Sequence, residues 1–205
     1  MNQLQFIKEI KSLNIPVFST KEASMIVNKD IKYTSLYLSR LLNRGEISRI
    51  EKGKYYLKDA NPYAVASNII YPSYVSMMSA FKYYGITTQN LSAIDILTDA
   101  RHSNGISIGG YNIIFTKIPR RLMFGFYRSK EDGTFVAYVE KAIIDAILIG
   151  NLPIPYIEEA YENAKESRIL EKGRLSSYIK RIGSKDLKEK INKIEKEVKE
   201  IKFRS

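Results

Sequence analysis

Lys32, Tyr33, Leu36, Arg40, Asn43 and Arg44 fall on one side of a helix drawn through residues 30–44, with Tyr37 at its edge and Ser35 nearby. Side chains of these types read nucleic acid. Arginine pairs with guanine edges and asparagine with adenine, while lysine, tyrosine and serine hold phosphates. Leu36 is the odd member: it meets a thymine methyl group or packs on the rest of the chain, and packing is the expectation. A few residues later Arg49, Lys52 and Lys54 charge a short hairpin, where cations would hold phosphates. The candidate DNA contacts are therefore Lys32, Tyr33, Ser35, Tyr37, Arg40, Asn43, Arg44, Arg49, Lys52 and Lys54.

Catalytic constellations are scarce. The chain has no cysteine and one histidine, His102, so the usual thiolate metal sites and nucleophile–base pairs are missing. His102 lies between Arg101 and Ser103 in a polar loop and reads as a surface residue. No glycine-rich loop precedes a Lys-Ser or Lys-Thr to cradle phosphate. The sharpest enzymatic alternative is a Mg²⁺-dependent nuclease using Asp95 and Lys117, each near the end of a strand. Such a site needs an acidic residue two positions before the lysine, and Phe115 stands there. Glu140 and Asp145, five apart on one helix, lie about 140° apart around it and do not converge. Glu140 and Lys141 are expected to pair with polar groups at the sheet edge, and Asp145 with a neighbouring loop. No enzyme activity, cofactor or metal is expected.

The elements that would position the basic residues are legible. Leu4, Ile7, Ile10 and Leu13, with Phe6 beside them, suggest a first amphipathic helix ended by Asn14-Ile15-Pro16. Ser19 or Thr20 can cap a second helix over KEASMIV, and the capping box looks partial. Asn28-Lys29-Asp30 is a turn, and a third helix runs from about Asp30 to Asn43 or Arg44. Leu38, Leu41 and Leu42, with Thr34 one turn earlier, form its apolar side. Gly45 stands where a left-handed residue ends a helix. Two short alternating runs then flank Lys52-Gly53, a β-hairpin signal. Helix pair, glycine and basic hairpin in this order have the layout of a winged helix-turn-helix over residues 1–58.

Charge follows the same division. The 205 residues carry a formal net charge of +11, which favours a polyanionic partner. Residues 1–58 hold 11 Lys/Arg against 5 Asp/Glu, residues 59–150 hold 8 against 7, and residues 151–205 hold 14 against 10. No run approaches the ~20 apolar residues of a membrane span, and the N-terminus lacks a signal-peptide core. A cytoplasmic location, without membrane contact, is the expectation.

The expected fold class is α+β, with a second domain over residues 59–205. Asp59-Ala60-Asn61-Pro62 marks the join. A short helix over Tyr63–Ile69 is followed by one capped by Ser73, with Tyr74, Met77, Met78, Phe81 and Tyr84 as its stripe. Strands are expected near Ala93–Thr98, Ile106–Ile108, Tyr111–Ile118, Phe124–Arg128 and Thr134–Tyr138, separated by Asn104-Gly105 and other turns. They suggest a mostly antiparallel sheet within a core of residues 59–150. VEKAIIDAILIG then reads as a buried helix. Residues 151–205 form a helical region. Its last helix carries Leu187, Ile191, Ile194, Val198 and Ile201 as a short heptad seam. That seam either lies across its own domain or serves a homodimer or toxin-binding face.

Three segments resemble the AbiEi family, the antitoxins of AbiE abortive-infection (type IV toxin–antitoxin) phage-defence pairs. They are RLLNRGEISRIEKGKYYL, NPYAVASNIIYPSYVSMMSAFKYYGIT and the Glu140–Asp145 core of the late helix. The resemblance covers roughly residues 5–150 and contains no catalytic motif. It implies a winged helix that binds inverted repeats in double-stranded promoter DNA. It also implies a C-terminal domain for autoregulation and for antitoxin activity against a nucleotidyltransferase-like toxin. A contact-only antitoxin without specific DNA binding is the alternative.

Overall fold

A computed structural model describes residues 1–103 and 105–201, the last without its side chain. Asn104 of the expected Asn104-Gly105 turn, and the side chain of Ile201 in the seam, lie outside the described residues. The N-terminal part contains α1 (Gln3–Ser12), β1 (Phe18–Ser19), α2 (Thr20–Val27), α3 (Ile31–Asn43) and a hairpin of β2 (Ile47–Glu51) with β3 (Lys54–Leu57). Each helix starts on a side chain that satisfies its free amides. Asn2 with Gln5, and Ser19 with Glu22, form full capping boxes, and the Asp30 carboxylate accepts the Tyr33 amide at 2.8 Å. The box at Ser19 is thus complete rather than partial. Gly45 follows α3 at φ +71°, a conformation that favours glycine.

β3 lies between β1 and β2, antiparallel to both. Phe6, Ile10, Phe18, Leu38, Leu41 and Ile47 close a core beneath the helices. The buried side of α1 is Phe6 and Ile10, while Leu4 and Leu13 are exposed. A three-residue repeat drifts around a helix of 3.6 residues per turn, so the i, i+4 pair faces the core instead.

The rest of the chain builds α4 (Pro62–Ser67), β4 (Ser73–Val75), α5 (Met77–Tyr83), β5 (Ala93–Thr98), β6 (Ile106–Ile108) and β7 (Tyr111–Lys117). After a 3-10 turn at Arg120–Leu122 come β8 (Phe126–Arg128), β9 (Phe135–Ala137), α6 (Val139–Ile149), α7 (Ile154–Glu166), α8 (Lys172–Ile182) and α9 (Lys185–Ile201). The fold is α+β. The sheet order is β6-β7-β5-β4-β9-β8. Three junctions are antiparallel, but β5–β7 and β4–β9 are parallel. The sheet is therefore mixed rather than mostly antiparallel. Residues 73–75 are a strand, not the start of a helix, and all three are buried. Side chains alternate between faces along a strand, so both faces of the sheet centre are covered there.

α6 is the hub of the helical layer, touching α5, α7, α8 and α9. Leu187, Ile191, Ile194 and Val198 are all buried, in the same core as α6 and α7. They are taken by the chain's own packing and offer no seam to a second copy or a toxin. The two parts meet through Val17, Ile50 and Tyr56, packed against the larger core, and through polar ties. Lys11 pairs with Asp59, the Arg128 guanidinium donates to the Asn14 carbonyl, and Asn14 Nδ2 donates to the Lys130 carbonyl at 3.2 Å. No described helix is long and apolar enough to cross a membrane.

Candidate nucleic-acid interface

α3 presents two sides with different duties. Thr34, Leu38 and Leu41 are buried, and the Thr34 hydroxyl donates to the Asp30 carbonyl at 2.8 Å. The opposite side exposes Lys32, Tyr33, Leu36, Arg40 and Asn43. Among the described residues the side chains of Lys32, Arg40 and Asn43 make no hydrogen bond or ion pair. Leu36 is 59% exposed, so the expected packing on the rest of the chain does not occur. Ser39 lies on the same stripe, four residues before Asn43 and seven after Lys32, and is exposed. It is absent from the expected contacts, although its helical spacing carries the signal.

Four of the candidate side chains have structural work. The Tyr37 ring meets Phe6 edge-on at 5.5 Å, and its hydroxyl donates to the Asn2 carbonyl at 3.3 Å. Burial pushes its pKa up. Tyr37 therefore faces α1 and leaves the outward set. The Ser35 hydroxyl donates to the Ile31 carbonyl at 2.8 Å within the helix. Arg44 Nη1 donates to Gln3 Oε1 at 2.8 Å, which draws it towards the start of α1. Lys54 is half-buried. Its ammonium donates to the Ile69 carbonyl at 2.8 Å and pairs with Glu51 at 2.7 Å. It joins the hairpin to the larger part instead of charging the tip.

The hairpin retains two outward cations. Lys52 is exposed at the turn, without a partner among the described residues, and the Arg49 guanidinium lies 5.7 Å from the centre of the Tyr55 ring. Three nearby acids have partners of their own. Glu22 accepts the Ser19 amide and hydroxyl, Asp30 caps α3, and Glu51 holds Lys54. None of them pairs with Lys32, Arg40 or Lys52 among the described residues, and the surplus of 11 Lys/Arg over 5 Asp/Glu in residues 1–58 gives the module a net positive field. His102 is half-buried rather than a surface residue: its ring lies 4.4 Å from that of Phe115, and Nε2 is 4.0 Å from the Glu51 carboxylate.

The nuclease candidates stay apart. Asp95 pairs in register with Ile114, and Lys117 with Thr98, three positions along. The Asp95 carboxylate accepts the Ser79 hydroxyl at 3.0 Å, and burial raises its pKa. No group of three or more His, Cys, Asp or Glu among the described residues is placed to hold a metal.

The densest ionisable cluster is inside α6. Lys141 forms an ion pair with Asp145 and donates to the Tyr74 hydroxyl at 2.9 Å. Asp145 also accepts from Tyr74 and Ser76, at 3.1 and 2.8 Å. Burial pushes Asp145 up and Lys141 down, while their mutual attraction opposes both shifts. Glu140 accepts the Glu171 amide and pairs with Arg174 at 3.2 Å. Asp145 bonds to the end of β4 and Glu140 to α8, in place of the expected loop and sheet edge. Glu140, Lys141 and Asp145 are at most 2% exposed, so the cluster ties elements together and presents no reacting face. No family model matches the chain, and no curated protein is similar to it.

Proposed function

We propose that the chain is a DNA-binding transcriptional regulator in which residues 1–58 act as a winged helix-turn-helix. α3 enters the major groove as recognition helix, and the β2–β3 hairpin is the wing. The observation that carries this reading is the outward side of α3, where Lys32, Arg40 and Asn43 are exposed and without partners among the described residues. Arg40 contacts a base edge or phosphate, and Lys32, Arg49 and Lys52 hold the backbone. The sequence resemblance extends the proposal to an autorepressing antitoxin of an AbiE-like defence pair, with a nucleotidyltransferase-like toxin as its partner. Binding at inverted repeats calls for two copies, and any homodimer must use a surface other than the buried side of α9.

The test is an anisotropy titration of the duplex upstream of the gene with wild type and a Lys32→Ala, Arg40→Ala variant. The variant should bind more weakly, and its log-affinity against log-salt slope should fall by about 0.9 for each phosphate it no longer neutralises. Equal binding at every salt concentration would sink the recognition-helix assignment. Met25 and Ile31, exposed on the same module, favour the second reading, an antitoxin acting by protein contact alone. Co-purification with a neighbouring nucleotidyltransferase gene product, with and without residues 1–58, separates the two. Capture that requires those residues, together with no DNA binding, supports the second reading.

A further inference from the structure

We infer that Leu36 reads the 5-methyl group of a thymine, making it a sequence-determining residue of the interface proposed above; the inference rests on that reading. Leu36 is the sixth residue of α3 and is 59% exposed. An exposed leucine needs no explanation when it is scattered on a solvated surface. Here it sits in the middle of the helix side on which Lys32, Arg40 and Asn43 have no partner among the described residues. Lys32 is one turn before it and Arg40 one turn after, about 6 Å away in each direction along the axis. Both flanking cations point it towards the same polyanion. Its place in the N-terminal half of the helix is the part of a recognition helix that reaches base edges.

The side chain can neither donate nor accept a hydrogen bond. Of the groups displayed in the major groove, the C5-methyl of thymine is the only alkyl group. Pressed against a cytosine amino group or a guanine carbonyl, Leu36 would displace water and return no hydrogen bond. Thymine is therefore selected twice, by contact with its methyl group and by the cost of burying the other edges.

The full-length protein is used to enrich binding duplexes from random-sequence DNA. The enriched site is then remade with deoxyuridine in place of thymine, one position at a time, which removes only the methyl group. In anisotropy titrations at fixed salt, wild type should lose about fourfold in affinity at one position per half-site, the worth of one buried methyl. Leu36→Ala changes an exposed helical position to a good helix former, so the fold is retained. This variant should bind the thymine and uracil duplexes equally, and no better than wild type binds uracil. Three results overturn the inference while leaving DNA binding intact. They are an enriched site without thymine, a wild type indifferent to every swap, and a Leu36→Ala protein that keeps the methyl effect. Failure to enrich any sequence instead overturns the functional reading itself.

Discussion

α3 and α6, 13 and 11 residues long, use charge in opposite ways. α6 buries Glu140, Lys141 and Asp145 and gives each a partner. α3 exposes Lys32 and Arg40 and gives them none among the described residues. Burying a charge is costly unless it is paired and hydrogen-bonded, so the α6 groups are held in place by the fold and their removal should be felt as instability. The α3 cations cost the free protein little, and their removal should be felt only when a polyanion binds. Charge tied into the fold and charge left open to solvent are thus separated in this chain by burial, not by residue type.

Asp145→Ala should break this comparison most visibly. It leaves Lys141 buried without its counter-ion, and removing one partner of such a pair costs about 3–5 kcal/mol. Urea denaturation followed by circular dichroism measures the effect. Replacing both residues, Lys141→Met with Asp145→Leu, should recover part of it: no orphan charge remains, although the buried Tyr74 and Ser76 hydroxyls lose their acceptor. In the same assay Arg40→Ala should lie within about 0.5 kcal/mol of wild type, as surface changes do. A cost below about 1 kcal/mol for Asp145→Ala, no larger than one ordinary hydrogen bond, would mean that the α6 network is no more demanding than the α3 surface.

The hairpin contains both kinds of cation two residues apart. Lys54 holds Ile69 and Glu51, while Lys52 has no partner among the described residues. Lys54→Ala should cost about 1 kcal/mol of stability, a charged hydrogen bond reduced by partial exposure, and leave the salt slope of DNA binding unchanged. Lys52→Ala should do the reverse, lowering the slope by about 0.9 at constant stability. If both variants change only the slope, Lys54 belongs with the phosphate contacts after all.

Local elements are legible in the sequence, and their long-range use much less so. The start of α2 at Ser19 or Thr20, the opening of α3 near Asp30, its end at Gly45 and the hairpin turn at Lys52-Gly53 depend on neighbours within a few residues. The cap made by Asp30 is absent from the expectations, but these features are readable. β4 is not. Tyr74 keeps helical spacing with Met77, Met78 and Phe81, so a three-residue strand merges into the following helix. Sheet order is hidden because each short strand has the same pattern whichever strand it joins. The candidate site divides in the same way. Helical spacing places Lys32, Arg40 and Asn43 outward, but the tie of Tyr37 to Asn2, and of Lys54 to Ile69, spans 35 and 15 residues. Asp145 bonds to residues 69 and 71 positions away, so its pattern in sequence resembles that of a solvated residue.

Glu158 on α7 and Glu197 on α9 fall between the two extremes and give the smallest effect. A hydrogen bond with Glu197 is the chief cause that raises the Glu158 pKa from its ordinary 4.5 to about 7, with burial adding to it. The same bond holds Glu197 below its ordinary value, so the pair shares one proton, which the folded protein holds more tightly than the unfolded chain. Between pH ~4.5 and ~7 the folded state therefore binds more protons. This contribution to stability is full below the lower value and is lost as pH rises through the upper one. Both residues are half-buried, so solvent screening keeps the effect to a fraction of what a fully buried pair would give. Urea midpoints on either side of that interval should show wild type losing more stability across it than Glu158→Gln, whose amide needs no proton to keep a hydrogen bond with Glu197. Identical pH dependence in the two proteins would place these carboxylates with the freely solvated charges of α3, leaving α6 as the region where charge is tied to the fold.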